Sequence, residues 1–277
     1  MTTLPASAGR DVSFAGVLNS EWIKLRSLRS PFWSYSTVFL IVVAFALLMS
    51  MAFSLAVSEG AGAEVASELG LPSLEAGALG GLVSTMATQL AQLIVAALAV
   101  LMISGEYSTG MMRSTLVAVP ARVPVLLAKG AVLAAATFAV GAAASFAAFF
   151  ATAPVLAGAG LDSSITDPEV LRMLFGSALY LVGVALLSLA LGAMLRSAAG
   201  GIAASVGVLM LLPAILSMIP VEAIQGVLPF LPSAAGQRIF DATQAGILSP
   251  WQGLGVMALW VLAALIGATI LLKKRDA

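Results

Sequence analysis

The sequence predicts an all-α integral membrane protein with six transmembrane helices, both termini in the cytoplasm and an amphipathic N-terminal helix at the membrane interface. Three observations carry that prediction. Of 277 residues, 61% are hydrophobic and only 9% charged, against about a quarter charged in soluble domains, and the mean hydropathy is +1.08. The apolar residues gather into six stretches at 33–57, 82–103, 125–151, 173–195, 202–219 and 251–272, most of them long enough for a helix to cross a hydrocarbon core. Charges are sorted by sign between those stretches. Cytoplasmic loops collect Lys and Arg, and all but Arg172 and Arg238 of the 13 basic residues fall in the N-terminal arm, the second loop with its helix entry, the fourth loop and the tail. The acids run opposite, since only Asp11, Glu21, Glu106 and Asp276 of 13 lie on that side. One membrane domain, 1–277, accounts for the chain, with 1–32 as a cytoplasmic arm.

In the arm, Phe14, Val17, Leu18, Trp22, Leu25 and Leu28 share one side of a helical wheel, with Lys24, Arg26 and Ser27 away from its centre. This is the pattern of a helix lying on the inner leaflet, its Trp among headgroups and its cations near anionic lipid. Glu21 falls in the middle of the apolar stripe, where a lipid-facing carboxylate is costly, and so calls for Lys24 or a cytoplasmic partner. Span one is too long for the apolar region of a cleaved signal and is expected to stay as an anchor. The outer segment from Glu59 to Glu75 reads as a solvated loop.

Span two holds the clearest polar feature, because Thr85, Gln89 and Gln92 recur at helical spacing and line one face. An amide in hydrocarbon seeks a partner, which leaves two readings open: hydrogen bonds between helices, or the lining of a translocation path. The loop that follows, GEYSTGMMRSTLVAVPARVP at 105–124, has Glu106 just past the span, then an apolar segment from Met111 to Val119, then Pro120 and Pro124 as stops. A short surface helix presenting Tyr107, Met111, Met112 and Arg113 fits, and that mixture suits a protein contact. Lys129 reads as an anchor at the mouth of span three, whose Ala and Gly residues allow close packing. Span five is the shortest and is broken by Pro213. Between Pro220 and Pro250 the chain is apolar yet too interrupted to span, which fits either short helices dipping into the outer leaflet or a hydrophobic loop packed on the bundle.

EWIKLRSLRSPFW (21–33), GEYSTGMMRSTLVAVPARVPVLLAK (105–129), LPSAAGQ (231–237) and the ending from LSPWQGL to LLKKRDA together resemble the ABC-2 family of ABC transporter permeases, particularly its actinobacterial members. The similarity spans almost the whole chain. It implies a multi-pass permease of the cell (plasma) membrane that pairs with a second permease copy or paralogue and with cytoplasmic ABC ATPase subunits. It further implies a connecting-helix role for Glu21, Lys24, Leu25 and Arg26, an ATPase-coupling interface at Glu106, Tyr107, Gly110 and Arg113, and re-entrant helices before the last span.

The residues limit the other function classes. There is no G-x-x-x-x-G-K-[ST] phosphate loop, so no cofactor is expected in this chain and ATP and Mg belong to the partner ATPase. No Asp or Glu lies within the six apolar stretches, whereas ion-coupled carriers usually place ionisable groups at membrane depth. With no Cys and no His, disulfides, thiolate metal sites and imidazole catalysis are excluded; no catalytic or metal-binding residue is expected, and the chain is not expected to be an enzyme on its own. The function expected is the membrane subunit of an ATP-driven exporter. The alternatives are a non-transporting anchor or sensor that recruits a cytoplasmic partner, and a passive channel.

Overall fold

Residues 13–68, 78–111, 122–243 and 246–274 are described by a computed structural model; among them the regular structure is helical, with no strands. In chain order the helices are α1 (Phe14–Ser27), α2 (Arg29–Ser58), α3 (Gly62–Glu68), α4 (Leu79–Thr85), α5 (Thr88–Ser108), α6 (Arg122–Gly158), α7 (Pro168–Leu195), α8 (Ala198–Val206), α9 (Leu212–Ser217), α10 (Glu222–Val227), α11 (Pro232–Gln237) and α12 (Pro250–Lys274). Six of these units are long and apolar enough to cross a membrane: α2, α4 with α5, α6, α7, α8 with α9, and α12. The chain is a multi-pass membrane protein.

Helix boundaries follow local chemistry. Ser13 caps α1, its hydroxyl accepting from the Gly16 N–H at 3.2 Å. The single extended residue Leu28 then separates α1 from α2, turning the chain where the arm meets the first span. Pro31 is tolerated because it lies in the first turn of α2, whose N–H groups have no helical partner. Between α4 and α5 the ladder loosens at Met86 and Ala87, directly after Ser84 and Thr85 turn their hydroxyls back onto the Gly80 and Gly81 carbonyls, a pattern that bends helices. In the fifth span Pro213 has no N–H to donate, and a π-helical stretch, Gly207–Leu211, precedes it.

Helix α7 stands at the centre and packs on α4, α5, α6, α8 and α12, while α2 packs chiefly on α6 and α5. Its most apolar window is 61% buried, against 17% for the fifth and sixth spans. Hydroxyl pairs join the helices in place of lipid contact: Tyr35 with Thr137 at 2.8 Å between α2 and α6, and Ser145 with Ser177 at 2.8 Å between α6 and α7.

The apolar segment after the fifth span folds into α10, a 3-10 turn (Leu228–Phe230), α11 and a second 3-10 turn (Arg238–Phe240). It seats on α7 and α12. Gly176 of α7 permits the approach, since a Cβ there would lie 2.8 Å from the Ile239 carbonyl oxygen. Arg172 and Arg238, the two exceptions to the charge sorting, are the fastenings of this segment. Arg172 donates to the Ile239 and Asp241 carbonyls at 2.7 and 3.1 Å, and Arg238 pairs with Asp241 and donates to the Thr243 carbonyl at 3.3 Å. Part of the expected loop 59–75 is helical instead, as α3; the part at 69–75 lies outside the described residues.

Candidate coupling site

At the end of the bundle where α1, the last turn of α5 and the first turns of α6 meet, four charged side chains form a ring of alternating sign. Lys24 donates to Glu21 at 2.6 Å and to Glu106 at 3.0 Å; Lys129 donates to Glu21 at 2.5 Å and to Glu106 at 2.9 Å. The ring is neutral, which is what lets it sit out of water: the side chains of Glu21, Lys129 and Glu106 are 1%, 2% and 8% exposed, and that of Lys24 26%. A lone charge at such depth would cost several kcal/mol. Burial lowers the Lys24 pKa, but its bonds to Glu21 and Glu106 outweigh this and hold it above the ordinary 10.5. Glu106 Oε2 is buried with no hydrogen-bond partner among the described residues.

The sequence places Glu21 at the centre of the α1 stripe, and the structure gives the reason. Val17, Glu21 and Leu25, one turn apart, are the buried residues of α1, and Val17 packs with Val125 and Ala128 of α6. The stripe thus turns its centre toward Lys129, and leaves Phe14 and Trp22 exposed. Two expectations need correction. Glu106 is not past the second span but inside its last turn, because α5 runs on to Ser108. Lys129 does not snorkel; it points into the protein, where both carboxylates hold it. A Lys five residues into a long apolar stretch was the available signal, since a charge there needs a partner.

Past the ring, Arg196 lies over the Tyr107 ring, 5.0 Å from its centroid. Arg196 itself is the left-handed residue (φ 51°) that ends α7, so the turn into α8 is tied to the end of α5. Gly110 ends the α5 turn with φ 72° and nothing near its missing Cβ, so it is the backbone conformation that calls for glycine there. Met111 follows and is exposed. Arg113, Met112 and most of the expected surface helix at 111–119 lie outside the described residues.

The polar face of the second span resolves into two unlike parts. Thr85, although buried, spends its hydroxyl on its own helix, donating to Gly81 and Leu82 at 3.0 and 3.1 Å. Gln92 and Gln89 instead join a network with two residues that the sequence alone did not single out. Tyr180 of α7 donates to Gln92, Gln92 donates to Gln89 at 3.3 Å, Gln89 donates to Gln237 of α11 at 2.7 Å, and Gln237 donates to Tyr180 at 3.3 Å. Gln92 and Tyr180 are buried and Gln89 is exposed, so the network runs from the core to the surface and clasps α5, α7 and α11 together. Gln237 falls within LPSAAGQ, which was a signal in hand.

No known protein family matches the chain, and no curated protein does. Among the described residues no group of acids is placed to hold a metal ion.

Proposed function

We propose that this chain is the membrane-spanning permease subunit of an ATP-driven exporter, of the ABC-2 kind its sequence resembles, and that a separate cytoplasmic ATPase bearing ATP and Mg drives it. The observation that best supports this reading is the four-charge ring. It joins the arm helix α1 to the two helix ends that flank residues 109–121, the stretch expected to meet the ATPase. Glu106 is fixed to Lys24 and Lys129, and Tyr107 is packed against Arg196, so movement reaches α1, α5, α6 and the turn between α7 and α8 together.

On this reading both termini and the ring face the cytoplasm, α1 lies at the inner face of the plasma membrane, and a second permease copy or paralogue completes the path. The clasp of Gln89, Gln92, Tyr180 and Gln237 then serves as a gate between the core and the segment 222–240, with Gln89 facing the route and Gln92 holding the helices. Thr85 is assigned to the route less readily, since its hydroxyl donates within its own helix. The test is local crosslinking. A photo-crosslinker on Ser108→Cys, an exposed position beside the ring, captures a nucleotide-binding ATPase in native membranes, and one on Ser67→Cys at the opposite end does not. Capture of the ATPase from both positions, or from neither, contradicts the proposal.

A further inference from the structure

Along the outside of the bundle the end of α1, the first half of α2 and the facing side of α6 line a groove of about 800 Å3, within the span of roughly 300–1,000 Å3 typical of ligand pockets. Its walls are apolar, including Phe32, Phe39 and Ala143, with Tyr35 at the back and Arg26 at one end. Ala139 and Ala143, one turn apart on α6, keep the floor low, and both are exposed along with Phe32, so the groove opens sideways rather than to an interior chamber. From Pro31 to Leu40 it follows α2 for about 14 Å at 1.5 Å per residue, close to half of the roughly 30 Å hydrocarbon thickness. That is the depth of one leaflet.

Arg26 decides what such a groove would hold. Two residues earlier, on another face of α1, Lys24 is committed to Glu21 and Glu106; Arg26 makes no ion pair or hydrogen bond among the described residues, and Arg29 follows it, also exposed. We propose that this groove is a binding site for an anionic glycerophospholipid, its phosphate on the Arg26 guanidinium and one acyl chain laid between Phe32, Phe39 and the Ala139–Ala143 floor. An apolar channel one leaflet deep with an uncommitted guanidinium at its polar end complements such an amphiphile at both ends. The site is independent of what the chain transports. It would fix α1, and through α1 the charge ring, to the surface of that leaflet.

The full chain, purified in a mild detergent and offered equal amounts of phosphatidylglycerol and phosphatidylcholine, would be examined by native mass spectrometry. Phosphatidylglycerol should be retained in preference. Arg26→Gln, an exposed position, should reduce that retention about fivefold, the equivalent of about 1 kcal/mol per basic residue near a lipid surface, and leave phosphatidylcholine unchanged. Ala143→Phe, which fills the floor, should lower retention of both lipids, with helical content checked by circular dichroism; if it fails to fold, Arg26→Gln decides alone. Equal retention of the two lipids, or phosphatidylglycerol retention indifferent to Arg26→Gln, overturns the proposal. So does a groove covered by a second copy, seen as variants that change the oligomer mass and not the lipid count.

Discussion

Replacing Lys129 by Met removes the most deeply held cation of the ring while keeping an unbranched side chain only one heavy atom shorter. Glu21, 1% exposed, then keeps only Lys24, and Glu106 loses one of its two cations. Removing one partner of a buried pair costs about 3–5 kcal/mol, because the charge left behind is uncompensated, whereas exchanging the whole pair for apolar residues is often neutral. The double variant Glu21→Leu/Lys129→Met is therefore expected to recover at least about 2 kcal/mol over Lys129→Met alone, with Lys24 and Glu106 still paired. The assay is unfolding of the purified chain in detergent, followed by tryptophan fluorescence, with the double-mutant cycle closed by Glu21→Leu. If the two single costs add to within about 0.5 kcal/mol, the residues act independently and the ring is not the linked unit described.

Gln92→Leu strands the buried Tyr180 hydroxyl and should cost about 1–3 kcal/mol in the same unfolding assay, whereas Gln89→Leu, at an exposed position, should stay within about 0.5 kcal/mol; equal costs would refute the core-to-surface order of the clasp. Gly110→Ala, forced to a positive φ, should cost about 1–2 kcal/mol although nothing crowds the site, and no loss would mean the turn relaxes. Because the Lys24 pKa is raised in the folded state, its stabilising contribution is complete below the ordinary 10.5 and fades as pH rises through the higher folded value. The stability difference between wild type and Lys24→Met should thus be constant from pH 7 to 9 and shrink only above about 10.5; a change near neutrality would show that other groups titrate in the ring. Since the chain has no Cys, Ser67→Cys should react with an impermeant maleimide on intact cells and Ser108→Cys should not, and the reverse pattern would invert the orientation.

The spans were legible because burial in lipid leaves an unambiguous mark, long apolar runs, and each run became a helix or a broken pair of helices. Their ends were less so. α2 begins at Arg29, in exposed polar residues, and α5 runs to Ser108 because Lys24 and Lys129 satisfy Glu106 in its last turn; composition records neither. Glu21 announced a partner by standing in an apolar stripe, but the choice of Lys129 in addition to Lys24 depends on the α1–α6 contact between residues 108 positions apart. The clasp was half visible. Gln89 and Gln92 repeat at helical spacing, whereas Tyr180 sits in an unpatterned apolar run and Gln237 in a short irregular segment, and only the packing of α7 against α11 brings them together.

The permease proposal stands or falls on ATP turnover by the proposed partner. The tagged chain is purified in mild detergent from its native membranes, and ATP hydrolysis in the eluate is measured with and without vanadate, for wild type and for Tyr107→Ala. A stoichiometric ATPase should co-elute, its vanadate-sensitive hydrolysis weakened or uncoupled by Tyr107→Ala while the chain's own melting temperature changes by only a few degrees. A folded chain that elutes without ATP hydrolysis, or hydrolysis indifferent to Tyr107→Ala, would contradict the proposal.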